Sequence, residues 1–122
     1  MSLLTDARQT IVDALIDNDV PAVMNTPAVL IPPVVVVEPT DPWIVAWTLQ
    51  SVQVSLGLSA VVNVSDQMTA LANLERLVDD VLAALPGGAL MEGVAVPSYE
   101  DTGSQGQVLR STITIQIAVR EK

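Results

Sequence analysis

Carboxylates are the main side chains in this sequence with the potential for chemistry. The 122 residues include 14 Asp and Glu but no His and no Cys, which excludes imidazole bases, thiolate nucleophiles and Cys/His zinc sites. Asp79 and Asp80 are adjacent in a predicted helix, where neighbouring side chains point about 100° apart and do not converge on one substrate atom. Glu38 and Asp41 share a predicted turn and could hold a cation only weakly. We therefore expect solvation rather than catalysis from both pairs.

Other catalytic arrangements each lack a required member. Serines are present, but there is no His and Lys122 is the only Lys, so no serine has an evident general base. Gly87-Gly88 follows a predicted helix, whereas the glycines of a phosphate-binding loop precede one. The sequence therefore predicts a protein that is not an enzyme and uses no cofactor and no metal.

Charge and apolar content indicate the kind of partner. The formal net charge is −9, and the basic residues are dispersed. They are Arg8, Arg76, Arg110, Arg120 and Lys122. Binding along a nucleic-acid backbone needs clustered cations, so the free chain should repel DNA. Hydrophobic residues make up 50% of the chain and charged residues 16%, against about 25% charged in a typical soluble domain. A domain this small has little interior for so much apolar surface, which predicts self-association.

One long uncharged segment, Pro42 to Ser65, has the length of a membrane helix. Its second half alternates strictly between apolar and small or polar residues, however, with every second residue from Val52 to Val64 apolar. Alternation with period two is typical of a strand with one buried face. We therefore predict no membrane span, and instead one long strand over about residues 44–64 with a bend or break near Gly57.

The remaining pattern predicts two helices and further strands. Apolar residues recur at helical spacing over about Leu4–Asn18 and over Gln67–Leu85. The predicted apolar face of the second helix is Met68, Leu71, Leu74, Val78, Val81, Leu82 and Leu85. Val34–Val37 is typical of a strand covered on both faces, and Glu38–Pro42 of a rigid turn.

The C-terminal third is predicted to hold a strand around Gly93–Pro97, a long polar loop over Ser98–Gln107, and a final strand. In that last strand Ser111, Ile113, Ile115, Ile117 and Val119 share one face. We predict that its three isoleucines form a core with the second helix. The fold class that follows is α+β, a largely antiparallel sheet with two main helices packed on it, in a single domain spanning residues 1–122.

Several of these features together resemble one known protein family. The opening Leu3–Arg8, the stretch Pro32–Pro39, the closely following Asp41–Trp43, and the terminal strand Thr112–Ile117 occur in a matching order. In this respect the chain resembles the tail terminator proteins of long-tailed bacteriophages, particularly those of actinobacterial hosts. The similarity covers nearly the whole chain, apart from the predicted loop at 98–107.

The resemblance implies a structural assembly protein of the virion. It would form a homohexameric ring at the head-proximal end of the tail, assembled in the host cytoplasm. One ring face would sit on the tail tube protein and stop polymerisation, and the other would receive the head-side connector, or stopper, protein. DNA would pass through the opening without specific binding. Two alternatives remain open: a stopper protein itself, and a soluble oligomeric adaptor with no virion role.

Five residues are candidate partner contacts. Trp43 and Trp47 flank an apolar segment directly after the predicted turn, and core packing is the competing interpretation for Trp43. Tyr99, Glu100 and Asp101 lie in the predicted polar loop. That loop is either a tolerated surface insertion or a segment that becomes ordered against a neighbouring ring, with Tyr99 as its anchor.

The charge distribution gives a first testable expectation. Because five dispersed cations stand against a net charge of −9, the free protein should not retard duplex DNA in a gel-shift assay at about 0.15 M salt. A strongly basic protein of similar size is the positive control. Tight binding under those conditions would contradict the expectation.

Overall fold

The computed structural model describes residues 3–24, 32–47, 51–64, 67–101 and 106–120. Its elements, in chain order, are helix α1 (Leu3–Asp17), strands β1 (Ala22–Val23), β2 (Val34–Trp47) and β3 (Ser51–Asn63), helix α2 (Gln67–Ala84), and strands β4 (Ala89–Val94), β5 (Ser98–Asp101) and β6 (Gln107–Arg120). The predicted fold class is confirmed: the protein is α+β, with a mostly antiparallel six-stranded sheet and two helices.

The sheet is built around its two longest paired strands. β3 and β6 are antiparallel and pair without interruption from Ser51 opposite Arg120 to Asn63 opposite Val108. β2 lies on the other side of β3, and β1 adds a short parallel pairing to β2. β4 and β5 both pair with β6, one after the other along its length. One edge of the sheet is therefore β2 with β1, and the other is β4 with β5.

The core lies between one face of this sheet and the two helices. Cross-strand pairing places Leu56 beside Ile115 and Leu58 beside Ile113, so the apolar positions of both strands share a face. These four side chains are completely buried in one cluster with residues of α1 and α2. The prediction that the isoleucines of the last strand pack with the second helix is confirmed.

Both helices have nearly the predicted bounds. α1 begins at Leu3 and ends at Asp17, one residue earlier at each end than predicted. Its end is closed by backbone hydrogen bonds in which the N–H groups of Asn18 and Val20 donate to the carbonyl of Leu15. Asp19 adopts a φ of 62°, a left-handed conformation that Asp tolerates better than most residues at a helix end.

The buried face of α2 differs from the predicted one. Met68 and Leu71 are exposed, while Ala70, Leu77 and Ala84 are buried. The buried stripe is Ala70, Leu74, Leu77, Val81 and Ala84, which follows alternating spacings of four and three residues. The predicted face was identified from the positions of large apolar side chains. The helix instead packs on the side where two alanines, which have little bulk, face the sheet.

The predicted turn at Glu38–Pro42 is wrong, and the single strand predicted over residues 44–64 is instead the end of β2 followed by β3. Most of its alternating part does lie in one strand, β3, but β3 is buried at every position from Val54 to Val62, so the prediction of one buried face is wrong. β2 runs through the predicted turn to Trp47, and Trp47 lies opposite Val52, so the chain reverses between β2 and β3. The register shifts between Pro39 and Ile44, where β2 has more residues than the facing part of β3. Because β2 is an edge strand, such a bulge accommodates prolines, which lack the N–H needed for a regular ladder.

The other two strand predictions have mixed outcomes. Gly57 is not a bend or break, because it lies inside β3 and pairs with both Glu38 and Thr114. Val34–Val37 is buried at all four positions, so the prediction of a strand covered on both faces is confirmed.

The predicted polar loop at Ser98–Gln107 is also wrong over its first part. Ser98–Asp101 is a strand, β5, paired with Gln107–Arg110 at the start of β6. Residues 102–105 lie outside the described residues. The preceding strand runs over Ala89–Val94 rather than around Gly93–Pro97. Polar composition suggested a loop, but the N-terminal part of β6 supplies backbone partners that local composition does not reveal.

The packing of α2 generates a stability prediction. Leu74 is 1% exposed in the main core, so Leu74→Ala should lower the free energy of unfolding by about 2–5 kcal/mol. Leu82→Ala, at a partly buried position packed against the same core, should cost less. Leu71→Ala is the matched control, because Leu71 is 42% exposed. Urea unfolding monitored by circular dichroism measures all three. A Leu74 variant that unfolds like the Leu71 variant would contradict the packing of α2.

Candidate interaction surfaces

The middle of the sheet face opposite the helices is polar. The register brings alternate residues of β3 and β6 to this face. They include Gln53, Ser55, Gly57 and Ser59 from β3 and Thr112, Thr114 and Gln116 from β6. The buried residues of both helices cluster instead with the apolar face. The middle of this side therefore presents a sheet surface of hydroxyl and amide groups, which we call the polar face. At one end of the same side, Val34, Val61 and Val108 form a small buried apolar cluster.

Hydrogen bonds join three strands across the polar face. The hydroxyl of Ser59 donates to Oε1 of Glu38 on β2 at 3.0 Å, and it lies 3.3 Å from the hydroxyl oxygen of Thr112 on β6. The side-chain amide of Gln53 donates to the side-chain oxygen of Gln116. These groups satisfy one another within the chain, which stabilises the polar face as a surface without offering a reactive group.

Small residues in the middle of β3 are overlaid by their neighbours. A Cβ placed on Gly57 would lie 3.4 Å from Cγ2 of Thr112 and 3.6 Å from Cβ of Thr40. Ser55 and Ser59 are almost completely buried although they belong to the polar face. Side chains of the two flanking strands, β2 and β6, therefore cover the middle of β3 on the polar face.

The acidic pairs that the sequence singled out are not brought together as a reactive site. Glu38 accepts the hydrogen bond from Ser59, whereas Asp41 is exposed further along the same strand. Asp79 and Asp80 lie exposed on α2. Within residues 3–24, 32–47, 51–64, 67–101 and 106–120, no group of three or more His, Cys, Asp or Glu side chains is arranged to hold a metal ion.

The far end of β2 is an exposed apolar edge. Residues 41–46 are exposed at six consecutive positions, and they include Trp43, Ile44 and Val45. Consecutive residues of a strand point to opposite faces, so both faces of this part of β2 are apolar and uncovered. Its first part, Val34–Val37, is also apolar and is buried. The sequence of residues 43–46 is thus suited to burial that the described part of the chain does not provide.

The opposite edge of the sheet has a second apolar surface. Its large exposed side chains, on β4, on β5 and on the connection between them, are Leu90, Met91, Val94, Val96 and Tyr99. The connection is fastened to β6, because the hydroxyl of Ser111 donates to the carbonyl of Ala95 and the N–H of Ala95 donates to the carbonyl of Thr112. The β4 part of this edge was not anticipated from the sequence. Apolar residues at consecutive positions from Val94 to Val96 were the available signal.

The five candidate contacts lie on two separate surfaces. Tyr99, Glu100 and Asp101 lie together on β5, where Tyr99 is opposite Leu109 and Nε of Arg110 lies 3.5 Å from Oε2 of Glu100. Trp43 lies on β2, at the other edge of the sheet, and is 43% exposed. Core packing is therefore not its role in the isolated chain. Trp47 ends β2 opposite Val52, and its side chain lies outside the described part of the structure.

Two grooves flank α2. One, of about 360 Å³, is bounded by Asn73, Arg76 and Asp80 of α2 together with Pro21 and Asn63. The other, of about 210 Å³, lies between α2 and the connection from β4 to β5. It has apolar walls, including Leu74 and Val94, with Glu75 and Asp79 also lining it. Both are open depressions, and neither is lined by a cluster of cations.

Comparison with known proteins adds no relative. No protein-family model matches the chain, and no curated protein matches it in sequence. Among the residues that the structure describes, no helix is both long and apolar enough to cross a membrane. Functional inference therefore depends on the surfaces described above and on the resemblance noted from the sequence.

The hydrogen bonds of the polar face generate a second stability prediction. Ser59→Ala removes a buried donor to Glu38, so the free energy of unfolding should fall by about 1–2 kcal/mol. Ser98→Ala, at an exposed serine of β5, is the matched control and should change it by less than about 0.5 kcal/mol. Urea unfolding of the two variants and of Glu38→Gln/Ser59→Ala tests the coupling. Equal effects at Ser59 and Ser98 would show that the network does not stabilise the sheet.

Proposed function

We propose that this protein is a ring-forming tail terminator, the subunit that caps the head-proximal end of a bacteriophage tail tube. The observation that carries the proposal is the pair of uncovered apolar edges, on β2 and on β4, at opposite sides of one well-packed sheet. A subunit with two different apolar edges can associate head to tail, one edge against the other edge of the next copy. Head-to-tail contacts form a closed ring when the rotations between successive subunits add up to a full turn.

The exposed apolar edge of β2 favours a protein that functions in an assembly over one that functions as a free monomer. Trp43, Ile44 and Val45 are all exposed in the isolated chain, and transferring a large apolar side chain out of water contributes about 1.5–3 kcal/mol. Exposed apolar surface on both faces of a strand is a cost for a monomer and a source of affinity in an assembly. A structural assembly protein accounts for this surface without invoking any chemistry.

The electrostatics of the chain suit a ring through which DNA passes. Six copies at −9 each would surround the opening with a strongly negative potential. The described cations Arg8, Arg76 and Arg110 lie on three different elements, α1, α2 and β6, and Arg110 lies beside Glu100, an arrangement that does not favour retention of a phosphate backbone. DNA would therefore move through without being retained.

The position at the tail end is implied by the resemblance to tail terminators and not by the surfaces alone. Those proteins act between a tube and a head-side connector, so the ring would offer one face to each. The polar face and the two helices give the subunit chemically different sides. A ring of such subunits would have the distinct surfaces that two different neighbours require.

Mixing the protein with its cognate tail tubes tests the proposal. Negative-stain imaging should show a ring at one end of each tube, and adding the protein to polymerising tube protein should shorten the tubes. Mass measurement of the free or tube-bound protein should give a hexamer. A tail protein without affinity for tube ends serves as the control.

Two results would redirect the assignment. A protein that stays monomeric, ignores tubes and binds portal–adaptor complexes would instead be a stopper. A stable oligomer that binds neither tubes nor head connectors would be an adaptor outside the virion.

A further inference from the structure

The free edges of the sheet differ in their capacity to accept another strand. On β2, β1 covers Val35 and Val36, and Pro39 and Pro42 lack the N–H that an added strand would need. The stretch Trp43–Trp47 has neither obstacle, although it contains a register shift against β3 between Ile44 and Ala46. On the opposite edge, β4 is free of proline over Ala89–Val94, while Pro97 interrupts the connection to β5.

These two accessible stretches lie at the same position along the strand direction of the sheet. Ile44 pairs with Val54, Val54 with Ile117, and Ile117 with Ala89, so a single row runs from one edge to the other. The exposed residues Trp43 to Val45 on one edge and Leu90 and Met91 on the other lie close to this row. Because rows are about 3.3 Å apart along a strand, little sliding is needed to align the two stretches.

The strand directions also match. β2 is antiparallel to β3, β3 to β6, and β6 to β4, so β4 runs antiparallel to β2. A second copy displaced sideways along the sheet, without being turned over, would bring its β2 alongside β4 of the first copy. The two strands would then be antiparallel neighbours, the arrangement in which cross-strand hydrogen bonds are perpendicular to the strands.

Charge favours this pair of edges over other contacts between copies. A chain with a net charge of −9 can approach another copy only where few acids meet. Residues 43–47 contain no charged side chain and Ala89–Val94 contains one, Glu92. On β5, by contrast, Glu100 and Asp101 are adjacent. The low-charge, apolar and proline-free stretches are thus the same two stretches that the register aligns.

We propose that Trp43–Trp47 of β2 in one copy pairs edge to edge with the Ala89–Met91 part of β4 in a second copy, in a head-to-tail contact. The occupant of each apolar edge is therefore the other edge of an identical chain. This inference rests on the proposed ring-forming function, because it identifies the contact between neighbouring subunits of the ring.

Cysteine cross-linking tests the contact directly, because the chain has no Cys of its own. Ile44→Cys protein is mixed with protein carrying Ala89→Cys, Leu90→Cys or Met91→Cys, and the mixtures are oxidised. Antiparallel neighbours have Cα atoms about 4.5–5.5 Å apart, within the range that a disulfide spans. At least one mixture should give a disulfide-linked dimer of the two different variants. Ile44→Cys mixed with Val96→Cys is the matched control, since Val96 is more exposed than any of the β4 positions but lies away from the aligned row.

A charge placed on the edge gives an independent measurement. Val45→Lys should raise the concentration at which half of the protein is assembled by about tenfold or more, because Lys on an edge strand opposes pairing. Val96→Lys should leave that concentration unchanged within about twofold. Sedimentation measures the assembly and circular dichroism confirms that both variants remain folded.

Three outcomes would overturn the inference. The first is linkage of Ile44→Cys to itself in preference to the β4 variants, which indicates a two-fold contact between β2 edges. The second is equal linkage of the Val96 control, and the third is a wild-type protein that is monomeric at all concentrations. Failure of the tube assay is separable from these. Wild-type protein that caps tubes but shows no β2–β4 linkage overturns only the contact. Linkage without tube binding supports the contact and refutes the tail function.

Discussion

The uninterrupted pairing of β3 with β6 is the interaction on which the rest of this structure depends. Because every residue of β3 has a partner on β6, the alternation of both strands is held in phase, and their large apolar side chains, apart from Val61 and Val108, point to one side. That side packs against both amphipathic helices, and the middle of the other side carries hydroxyl and amide groups. A slip of one residue would exchange the two faces and remove the core.

The same arrangement determines where the molecule can interact. With the two longest strands in the centre, the outer positions fall to β2, which is irregular and contains prolines, and to the short strands β4 and β5. The helices cover the middle of one face and do not extend over the outer ends of these strands, where large apolar side chains remain exposed. Interaction surfaces at the margins are therefore a consequence of how the centre is packed.

The sequence predicted the features that have a strong period. The alternation of the last strand, the helix over residues 67–84 and the burial of Val34–Val37 were all recognisable, because repeated spacing identifies a face. Local chemistry misled in two places. Pro39 and Pro42 suggested a turn where an edge strand bulges, and the polar residues of Ser98–Asp101 suggested a loop where β6 supplies the backbone partners. Both errors arose because pairing with a distant strand overrides local preference.

The interaction surfaces were predictable only in part, for a related reason. Trp43 and Tyr99 stood out as isolated aromatics and are indeed exposed, but their placement on opposite edges depends on strand order, which no local pattern encodes. No local pattern distinguishes Leu90 and Met91, which are exposed, from core residues. Only the topology reveals that their strand is the last in the sheet.

The division of one sheet edge between β4 and β5 has a consequence for how the protein behaves at high concentration. The connection at residues 95–97 is fastened to β6 and contains Pro97, so this edge of the sheet is divided into two short strands. Long, flat, continuous edges are what seed fibrous aggregates. Because this edge consists of two short strands, any strand that pairs with it can do so over only a few residues. A chain this rich in valine and isoleucine can thus bind partners at short stretches of its edges without stacking indefinitely into fibres.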